Sequence, residues 1–409
     1  MNAVRFVERE KLNTCVHCGL CLASCPTYVE LGTEADSPRG RIHLMRALED
    51  RTLEPTAEVI RHLDLCLGCR ACETACPSGV PYGEIIEAAR PFIEAHRRGL
   101  ARWWRRLLAV GLTTPGLRRA LFAPMRAVAG AADLGRAARA LGVSGLAYAA
   151  ALPRGRSPRL PEVLEPEGPM RGTAVILTGC VADTLFPATN RSTALLLQRA
   201  GVRVVIPRRQ GCCGALALHL GAGDRARALA HATVRMLAGV SADWIVTNAA
   251  GCGATLRGYG QLVENGEAVA SRARDALGLL AELGLPPPSR ALAATVAVHD
   301  PCHLAHGQGI RLEVRRLLSA IPGLRLVELE EADMCCGSAG TYNLTEPAMA
   351  RRLLARKLGR IAATGADLVA AANPGCLMQI RAGAIMRGLP LRVEHPIDLL
   401  AAAQGLGRS

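Results

Sequence analysis

Half of the sixteen cysteines in this 409-residue chain fall into two runs with the same spacing. Each run reads C-x2-C-x2-C-x3-C followed by proline, over residues 15–26 and 66–77. The eight cysteines are Cys15, Cys18, Cys21, Cys25, Cys66, Cys69, Cys72 and Cys76. This is the ligand spacing of bacterial two-cluster ferredoxins, and finding it twice makes a chance match improbable. The runs therefore predict two 4Fe–4S clusters and a protein through which electrons pass.

In such a pair the first three cysteines of a run hold one cluster, and the fourth reaches across to the other. The first predicted cluster is held by Cys15, Cys18, Cys21 and Cys76. The second is held by Cys66, Cys69, Cys72 and Cys25. Pro26 and Pro77 end the two loops, because proline fixes φ and lacks a backbone donor. Gly19 and Gly68 leave room for backbone N–H groups to turn toward the cluster sulfurs.

Two other uses of these thiols are less consistent with the spacing. Zinc also binds C-x2-C pairs, but it gives no reason for a third cysteine two residues further on or for the closing Cys-Pro. Disulfides need an oxidising compartment, whereas Met1–Leu12 is charged and lacks the apolar core of a secretory signal. We therefore favour iron–sulfur clusters in a reducing, cytoplasmic setting.

The other eight cysteines form two matching sets in the second half of the chain. The first set is Cys180, Cys212, Cys213 and Cys252, and the second is Cys302, Cys335, Cys336 and Cys376. Corresponding members recur after about 123 residues, and their flanking glycines recur with them, which indicates an internal duplication. A duplicated set of four thiols favours a metal site or a redox pair in each copy over inert buried cysteines. His299 and His303 flank Cys302 and could assist such a site.

Strands and helices alternate in each copy, as in parallel α/β units. The strands predicted for the first copy are 174–178, 202–206 and 244–247, and those for the second are 295–299, 324–329 and 368–371. Helices are expected over 188–200 and 309–320 after the first strand of each copy. Every cysteine of the two sets follows a strand, and ligands of parallel sheets gather at the strands' carboxyl ends. One site per copy is therefore expected.

The predicted fold class is α/β, with an N-terminal helical two-cluster ferredoxin domain of the bacterial type before the two duplicated parallel-sheet domains. The expected divisions are residues 1–98, a helical segment and linker over 99–171, and the two copies over 172–284 and 291–409. Proline-rich stretches at 151–171 and 285–290 read as linkers. A helix is also expected over 40–50, between the two cysteine runs.

The chain carries a formal net charge of +14, which raises the question of an anionic partner. Its arginines are dispersed and no RNA-binding or helix-turn-helix signature occurs, so nucleic acid is not expected. No apolar stretch is long enough to span a membrane. Residues 100–150 place Trp103 and Trp104 among arginines, as in helices that lie in a membrane interface, although packing against a partner explains them as well. We expect a cytoplasmic protein with peripheral contact at the inner face of the cell membrane.

Taken together, the two ferredoxin runs and the Cys-Cys-Gly phrases at 212–216 and 335–343 resemble the glycolate oxidase iron–sulfur subunit family, over nearly the whole chain. The resemblance implies two α/β domains of the cysteine-rich CCG type and a hetero-oligomer with FAD-containing subunits that oxidise glycolate to glyoxylate. This chain would accept electrons from reduced FAD and pass them toward membrane quinone. It contains no G-x-G-x-x-G fingerprint of its own. Related subunits serve lactate utilisation, D-lactate, anaerobic glycerol-3-phosphate and heterodisulfide systems.

One departure from the heterodisulfide reductase pattern concerns the last cysteine of each set. Those relatives end in C-x2-C, but Ala249 and Asn373 stand where the earlier cysteine of that pair would be. Each copy therefore has four cysteines, and zinc, another cluster or no metal remain alternatives there. Two other functions stay open at this point: a reductase that reacts substrate at Cys335 and Cys336, and a DNA-binding iron–sulfur sensor.

Overall fold

Six helices build the N-terminal region and hold both cysteine runs in and between them. The structure is a computed structural model that describes residues 6–129, 131, 133–153, 158 and 160–406. The helices are α1 (Arg9–Asn13), α2 (Pro26–Leu31), α3 (Pro38–Glu49), α4 (Ala57–Asp64), α5 (Ala71–Thr74) and α6 (Tyr82–His96), with a 3-10 turn at Glu34–Asp36. The helix expected over 40–50 is α3, which begins earlier because Pro38 opens it and Ser37 caps it. Apolar side chains of α3, α4 and α6 pack into one core behind the cysteine loops.

Four further helices lead from this region toward the first sheet. They are α7 (Gly99–Thr113), α8 (Pro115–Val128), α9 (Leu134–Leu141) and α10 (Ser144–Ala150). Buried Arg105 ties α7 to the N-terminal region through Glu94 at 2.7 Å and Asp64 at 3.2 Å. The expected linker contains a two-residue strand, β1 (Val163–Leu164), and its residues 154–157 and 159 lie outside the described residues. In the described ranges no helix is both long and apolar enough to cross a bilayer.

The first duplicated copy forms an α/β unit on a five-stranded sheet. Its remaining strands are β2 (Gly172–Ile176), β3 (Val202–Val205), β4 (Trp244–Thr247) and β5 (Ala273–Asp275), in the order β1-β3-β2-β4-β5. Strands β2 to β5 are parallel, and β1 runs antiparallel to β3 at one edge. The helices are α11 (Cys180–Leu185), α12 (Pro187–Arg199), α13 (Ala215–His219), α14 (Gly223–Ala238), α15 (Ala250–Arg257), α16 (Tyr259–Leu262), α17 (Glu267–Ala270) and α18 (Ala276–Leu283).

The second copy repeats this plan on a four-stranded, all-parallel sheet. Its strands are β6 (Ala294–His299), β7 (Leu324–Val327), β8 (Leu368–Ala371) and β9 (Arg392–Glu394), in the order β7-β6-β8-β9. Its helices are α19 (Cys302–Ala305), α20 (Leu312–Ser319), α21 (Tyr342–Thr345), α22 (Pro347–Ala363), α23 (Pro374–Arg387) and α24 (Pro396–Ala403). The predicted fold class, a helical N-terminal region followed by two duplicated parallel α/β units, is confirmed.

Differences from the sequence-based prediction lie mainly at the ends of elements. The helix expected over 309–320 begins at Leu312, because Gly309 adopts a φ of +72° that a helix cannot contain. Strand β7 stops before the expected Leu329, because its last pair with β6 joins Ala297 and Val327. The short strands β1, β5 and β9 were not predicted, since two or three residues give no readable alternation.

The two α/β units share one hydrophobic core, which fixes their cysteine sets relative to each other. Side chains from β2, α12 and α18 pack with side chains from β6, α20 and α24. Asp398 in α24 accepts hydrogen bonds from Thr189 at 2.7 Å and Ser192 at 2.8 Å in α12. Buried His395 donates to the carbonyl of Asn248 at 3.0 Å, next to the last strand before Cys252. The pair of units therefore behaves as one scaffold for two cysteine centres.

Candidate metal centres

The first cavity of the N-terminal region opens to the surface and is lined by thiols from both runs. Four of the lining cysteines are Cys15, Cys18, Cys21 and Cys76, and the fifth is Cys72. Cys18 is exposed. Two residues of this loop have left-handed backbone, His17 at φ +56° and Gly19 at φ +87°. Arg39 holds the loop by donating to the His17 carbonyl at 2.9 Å.

The thiols of the second cavity are all buried, and we therefore call it the enclosed cavity. Cys25, Cys66, Cys69 and Cys72 line it. Gly68, at φ +66°, lets its N–H donate to Cys66 Sγ at 3.4 Å, and Tyr82 donates its hydroxyl to the same sulfur at 3.7 Å. The first cavity thus meets three cysteines of the first run and two of the second, and the second cavity meets three of the second run and one of the first. Cys72 lines both cavities, so they are immediate neighbours.

A buried arginine lies beside the second cavity. Arg41 is 1% exposed and lines that cavity, with Nη1 4.0 Å from Cys25 Sγ. Its Nε donates to the His62 carbonyl at 2.7 Å, and its Nη2 donates to Thr27 at 3.1 Å. Burial disfavours the charge, but the negative charge of neighbouring groups, Cys66 first and the Asp36 carboxylate 3.7 Å from Nη2 among them, raises the pKa of Arg41 above its ordinary value. A permanent positive charge therefore faces the position of the second set of thiols.

These thiols suit a metal group. All sixteen cysteines lie in the described part of the chain, and all are free. Burial raises the pKa of the Cys69 and Cys72 thiols well above the ordinary value, so without a cation they stay protonated. A bound cation reverses this preference because it stabilises the thiolate. Four soft donors around each cavity match the ligand chemistry of iron–sulfur clusters.

In the first α/β unit, four cysteines meet where three strands end. Cys180 begins α11 after β2, Cys212 and Cys213 follow β3, and Cys252 lies in α15 after β4. The neighbouring Cys212, followed by burial, raises the pKa of Cys180 well above its ordinary value. Gly214, at φ +92°, turns the chain behind the pair, where an added Cβ would lie 3.1 Å from the backbone of α14.

The second α/β unit repeats this arrangement. Cys302 begins α19 after β6, Cys335 and Cys336 follow β7, and Cys376 lies in α23 after β8. The neighbouring Cys335, followed by burial, likewise raises the pKa of Cys302 well above its ordinary value. Gly337, at φ +86°, makes the same turn, and a Cβ there would come within 2.6 Å of the backbone of α22. The structure thus brings together each of the two sets that the repeat predicted.

Polar side chains distinguish the second centre. A ring nitrogen of His299 and the sulfurs of Cys336 and Cys376 all lie within 4.8 Å of one another, and all three residues are buried. Burial, followed by the charge of Lys357, lowers the pKa of His299 to about 3, so the ring is neutral. Asn373, at the position of the missing cysteine, donates its amide to Cys376 Sγ at 3.6 Å.

The enclosed ferredoxin-like cavity lies against this second centre. Cys69 and Cys335 pack in one buried apolar cluster, with Cys302 beside it. Cys69 and Cys302 are close enough that the charge of one raises the pKa of the other's thiol, after the larger effect of burial. The order in space is therefore the open cavity, the enclosed cavity and the second cysteine centre.

Hydrogen bonds and a ring contact stabilise the packing of the α/β units against the loop that carries Cys66 and Cys69. His303 donates Nε2–H to the Gly68 carbonyl at 2.9 Å, so it faces the ferredoxin-like loop. The buried Tyr342 hydroxyl donates to the Leu65 carbonyl at 2.9 Å. His219 from the first α/β unit stacks on His303 with ring centroids 5.3 Å apart. All three parts of the chain therefore meet around the loop that carries Cys66 and Cys69.

Sequence reasoning missed the buried cations and the interface residues. Arg41 and Tyr342 carry no local signal, because many residues of their types occur on surfaces. Lys357 did carry one: the chain has a single other lysine, Lys11, and a rare residue type inside an arginine-rich chain invites a structural explanation. Lys357 is 2% exposed and donates to the Ala332 carbonyl at 3.2 Å.

Comparison with known proteins agrees with this geometry. The family model of a 4Fe-4S dicluster domain matches residues 11–80, and that of a cysteine-rich domain matches residues 174–257 and 296–381. The fold and its thiol sets thus define an iron–sulfur subunit of an oxidoreductase complex, with two 4Fe–4S clusters and two CCG domains.

Relatives that align with most of this chain identify its family within this class. The chain is 39% identical to a probable glycolate oxidase iron-sulfur subunit of Bacillus subtilis, over 98% of this chain and 96% of the relative. It is 37% identical to the glycolate oxidase iron-sulfur subunit of Escherichia coli, over 89% and 88%. It is 28% identical to one subunit of the CoM/CoB fumarate reductase of Methanothermobacter marburgensis, over 97% and 73%. The chain belongs to the glycolate oxidase iron–sulfur subunit family.

Proposed function

We propose that this chain carries electrons in a hetero-oligomeric complex whose FAD-containing partners oxidise glycolate to glyoxylate. The supporting observation is the contact sequence in which the open cavity shares Cys72 with the enclosed one, and the enclosed one touches the second cysteine centre. When bound, 4Fe–4S clusters supply one-electron chemistry. The chain's own contribution is to keep the centres close, to exclude water from the inner one and to leave the outer one accessible.

The proposed ligands follow the crossover pattern. Cys15, Cys18, Cys21 and Cys76 hold the first cluster, and Cys66, Cys69, Cys72 and Cys25 hold the second. The lining of the two cavities supports this division. The two CCG sets, Cys180, Cys212, Cys213 and Cys252, and Cys302, Cys335, Cys336 and Cys376, are proposed as further metal or redox sites.

We also propose where the flavoprotein delivers its electrons. Cys18 is exposed at the first cavity, and the flanking Val16 and Leu20 are 66% and 62% exposed. Exposed apolar side chains around a redox centre suit a protein partner, since they are costly to leave in water. Electrons would pass from there through the enclosed cluster to the second CCG centre and on to an acceptor such as membrane quinone.

The helices α7 and α8 support a peripheral membrane contact at the inner face of the cell membrane. Leu100, Trp103, Trp104, Leu107 and Val110 of α7 follow a helical period and are 41% to 85% exposed. Residues 97–132 contain eight arginines and no aspartate or glutamate. A basic helix with an exposed apolar and tryptophan-bearing face suits an anionic lipid surface.

Vesicle sedimentation tests this contact. The double variant Trp103→Ala/Leu107→Ala should bind at least about tenfold more weakly to vesicles that contain phosphatidylglycerol, because it removes buried apolar area at the interface. Leu312→Ala removes a leucine outside this face that is more exposed, at 77%, than either changed residue and serves as the control. Equal binding of both variants, or equal binding to neutral vesicles, contradicts the proposal.

The electron-transfer role is tested on the assembled complex. Cys18→Ser should lower the iron content from about eight to about four per chain and leave reduced FAD without an outlet after glycolate is added. Ser24→Ala, in the same loop, serves as the control. Glycolate-dependent reduction of a quinone analogue at the wild-type rate by Cys18→Ser would contradict the role. So would a chain that stays free of iron after anaerobic reconstitution.

The FAD-containing partner determines which substrate the proposed complex oxidises. Lactate utilization protein A of Shouchella clausii is 30% identical over 54% of this chain, so a lactate-oxidising complex is the second candidate. Turnover of the purified complex with glycolate, D-lactate and glycerol 3-phosphate separates the two. The proposed domain division remains 1–98, 99–171, 172–284 and 291–409.

A further inference from the structure

The two cysteine centres differ in one buried residue three positions before their first cysteine. His299 ends β6 before Cys302, whereas Leu177 stands at the equivalent place before Cys180. Leucine offers no donor to a metal, but imidazole is among the commonest metal ligands. At this position the first centre therefore has no donor, whereas the second has a nitrogen donor beside its sulfurs.

His299 is oriented with one nitrogen occupied and the other unused. Its Nδ1–H donates to the Ala332 carbonyl at 3.0 Å, which leaves the lone pair on Nε2. Nε2 is buried and has no hydrogen-bond partner among the described residues, and the whole side chain is 1% exposed. An unpaired buried polar atom costs free energy, so this arrangement indicates a missing partner. A histidine that ligates a metal characteristically donates its other N–H to a backbone carbonyl in this way.

The distances fit a shared metal. A ring nitrogen of His299 and the sulfurs of Cys336 and Cys376 lie within 4.8 Å of one another. Around one metal with bonds of about 2.0 Å to nitrogen and about 2.3 Å to sulfur, tetrahedral donors stand about 3.5–3.8 Å apart. Shifts of about 1 Å or less, which side-chain rotation supplies, bring the three atoms to those separations.

Two neighbouring side chains, Lys357 and Asn373, make hydrogen bonds that favour His299 as the ligand. Lys357 Nζ donates to the same Ala332 carbonyl at 3.2 Å, so this carbonyl is fixed and polarised behind the ring. Its positive charge also offsets thiolate charge in a buried site. Asn373 already donates to Cys376 Sγ and accepts from the Gly251 N–H at 3.5 Å, so its amide is engaged.

We propose that His299 Nε2 is a metal ligand and that the second CCG centre is a mixed imidazole–thiolate site, whereas the first has no imidazole at the equivalent place. This rests on the proposed function in that Cys336 and Cys376 are taken as metal ligands. Imidazole with thiolates suits zinc and the iron of an iron–sulfur cluster. Both share the same ligand chemistry, and metal analysis distinguishes them.

The test compares wild type with His299→Asn on the full chain purified without oxygen. Asparagine can keep the hydrogen bond to the Ala332 carbonyl while it removes the atom at Nε2. Leu177→Asn, at the equivalent place in the first copy, is the matched control. Iron and zinc are quantified, and X-ray absorption is recorded at the zinc edge. If the additional metal is iron, pulsed EPR on protein labelled with ¹⁵N-histidine replaces the absorption measurement.

We expect wild type to hold metal beyond that of the two cubane clusters, with a nitrogen neighbour at about 2.0 Å. His299→Asn should lose the nitrogen signal and release the additional metal to a chelator at least about tenfold faster, while the cubane iron and Leu177→Asn stay unchanged. Additional metal with only sulfur neighbours in wild type, an unchanged coordination in His299→Asn, or no additional metal overturns the assignment. Because the wild-type spectrum is decisive alone, a poorly folding variant does not block the test. If wild type contained no cubane iron, that result would instead refute the proposed function.

Discussion

Removing the charge of Arg41 should lower the reduction potential of the second cluster. The guanidinium is buried, and its Nη1 lies 4.0 Å from Cys25 Sγ. With the charge about 6 Å from the cluster centre and an effective dielectric constant of about 20, its attraction for one added electron is about 3 kcal/mol. For a one-electron couple this corresponds to about 130 mV. Water that enters in place of the side chain, and a proton taken up by the Asp36 carboxylate that loses this partner, recover part of this. We therefore expect Arg41→Gln to lower the potential by on the order of 100 mV.

The assay is a redox titration of the anaerobic chain followed by EPR. Arg41→Lys keeps a positive charge and is the matched control, with a potential near that of wild type. The first cluster is an internal reference, because Arg41 lines the second cavity and not the first. Iron content shows whether the variants, which lose hydrogen bonds to His62 and Thr27, still bind both clusters.

Two results would refute this reasoning. One is an equal potential of the second cluster in Arg41→Gln and Arg41→Lys, which would mean that no redox centre lies within reach of the charge. The other is a larger shift of the first cluster than of the second, which would mean that the ligands are divided differently between the cavities.

Two further predictions concern stability. Tyr342→Phe leaves the buried Leu65 carbonyl without its donor and should lower the free energy of unfolding by about 1–2 kcal/mol in denaturant titration. Tyr28→Phe, at a half-buried site, is the control and should leave it unchanged. Equal effects of the two variants would contradict the role of Tyr342 in this interface. Burial raises the pKa of Asp275 to about 7, above its unfolded value, so wild type loses stability as pH rises from about 4 to about 7. Asp275→Asn can keep the hydrogen bond from the Leu277 N–H. Its free energy of unfolding should exceed that of wild type by on the order of 1–3 kcal/mol at pH 8, and by less at pH 5. A gap that widens toward low pH would contradict it.

The sequence was most informative where chemistry depends on local spacing. The two cysteine runs each fold one short loop, so their spacing alone predicts the clusters. The duplicated cysteine sets revealed two parallel α/β units, because strands that end at corresponding residues place them at corresponding points of a sheet.

Contacts between distant segments escaped this reasoning. Tyr342 reaches Leu65 across 277 positions, and His303 reaches Gly68 across 235. No pattern in either segment encodes the other, since the pairing depends on how the α/β units pack on the N-terminal region. The sequence showed that His299 lies three residues before Cys302, but it did not show which ring nitrogen is free. That follows from the hydrogen bond of Nδ1 to the Ala332 carbonyl, on which the proposed role of Nε2 depends.

The graded burial of the thiols determines how this protein ages in air. Cys18 is exposed, whereas Cys25, Cys66, Cys69 and Cys72 are all buried. With the clusters at the proposed ligands, we expect dioxygen and superoxide to reach the one at Cys18 first, so that oxidative decay proceeds from the surface inward. A chain damaged in this way would keep its buried cluster and lose the one proposed to meet the flavoprotein.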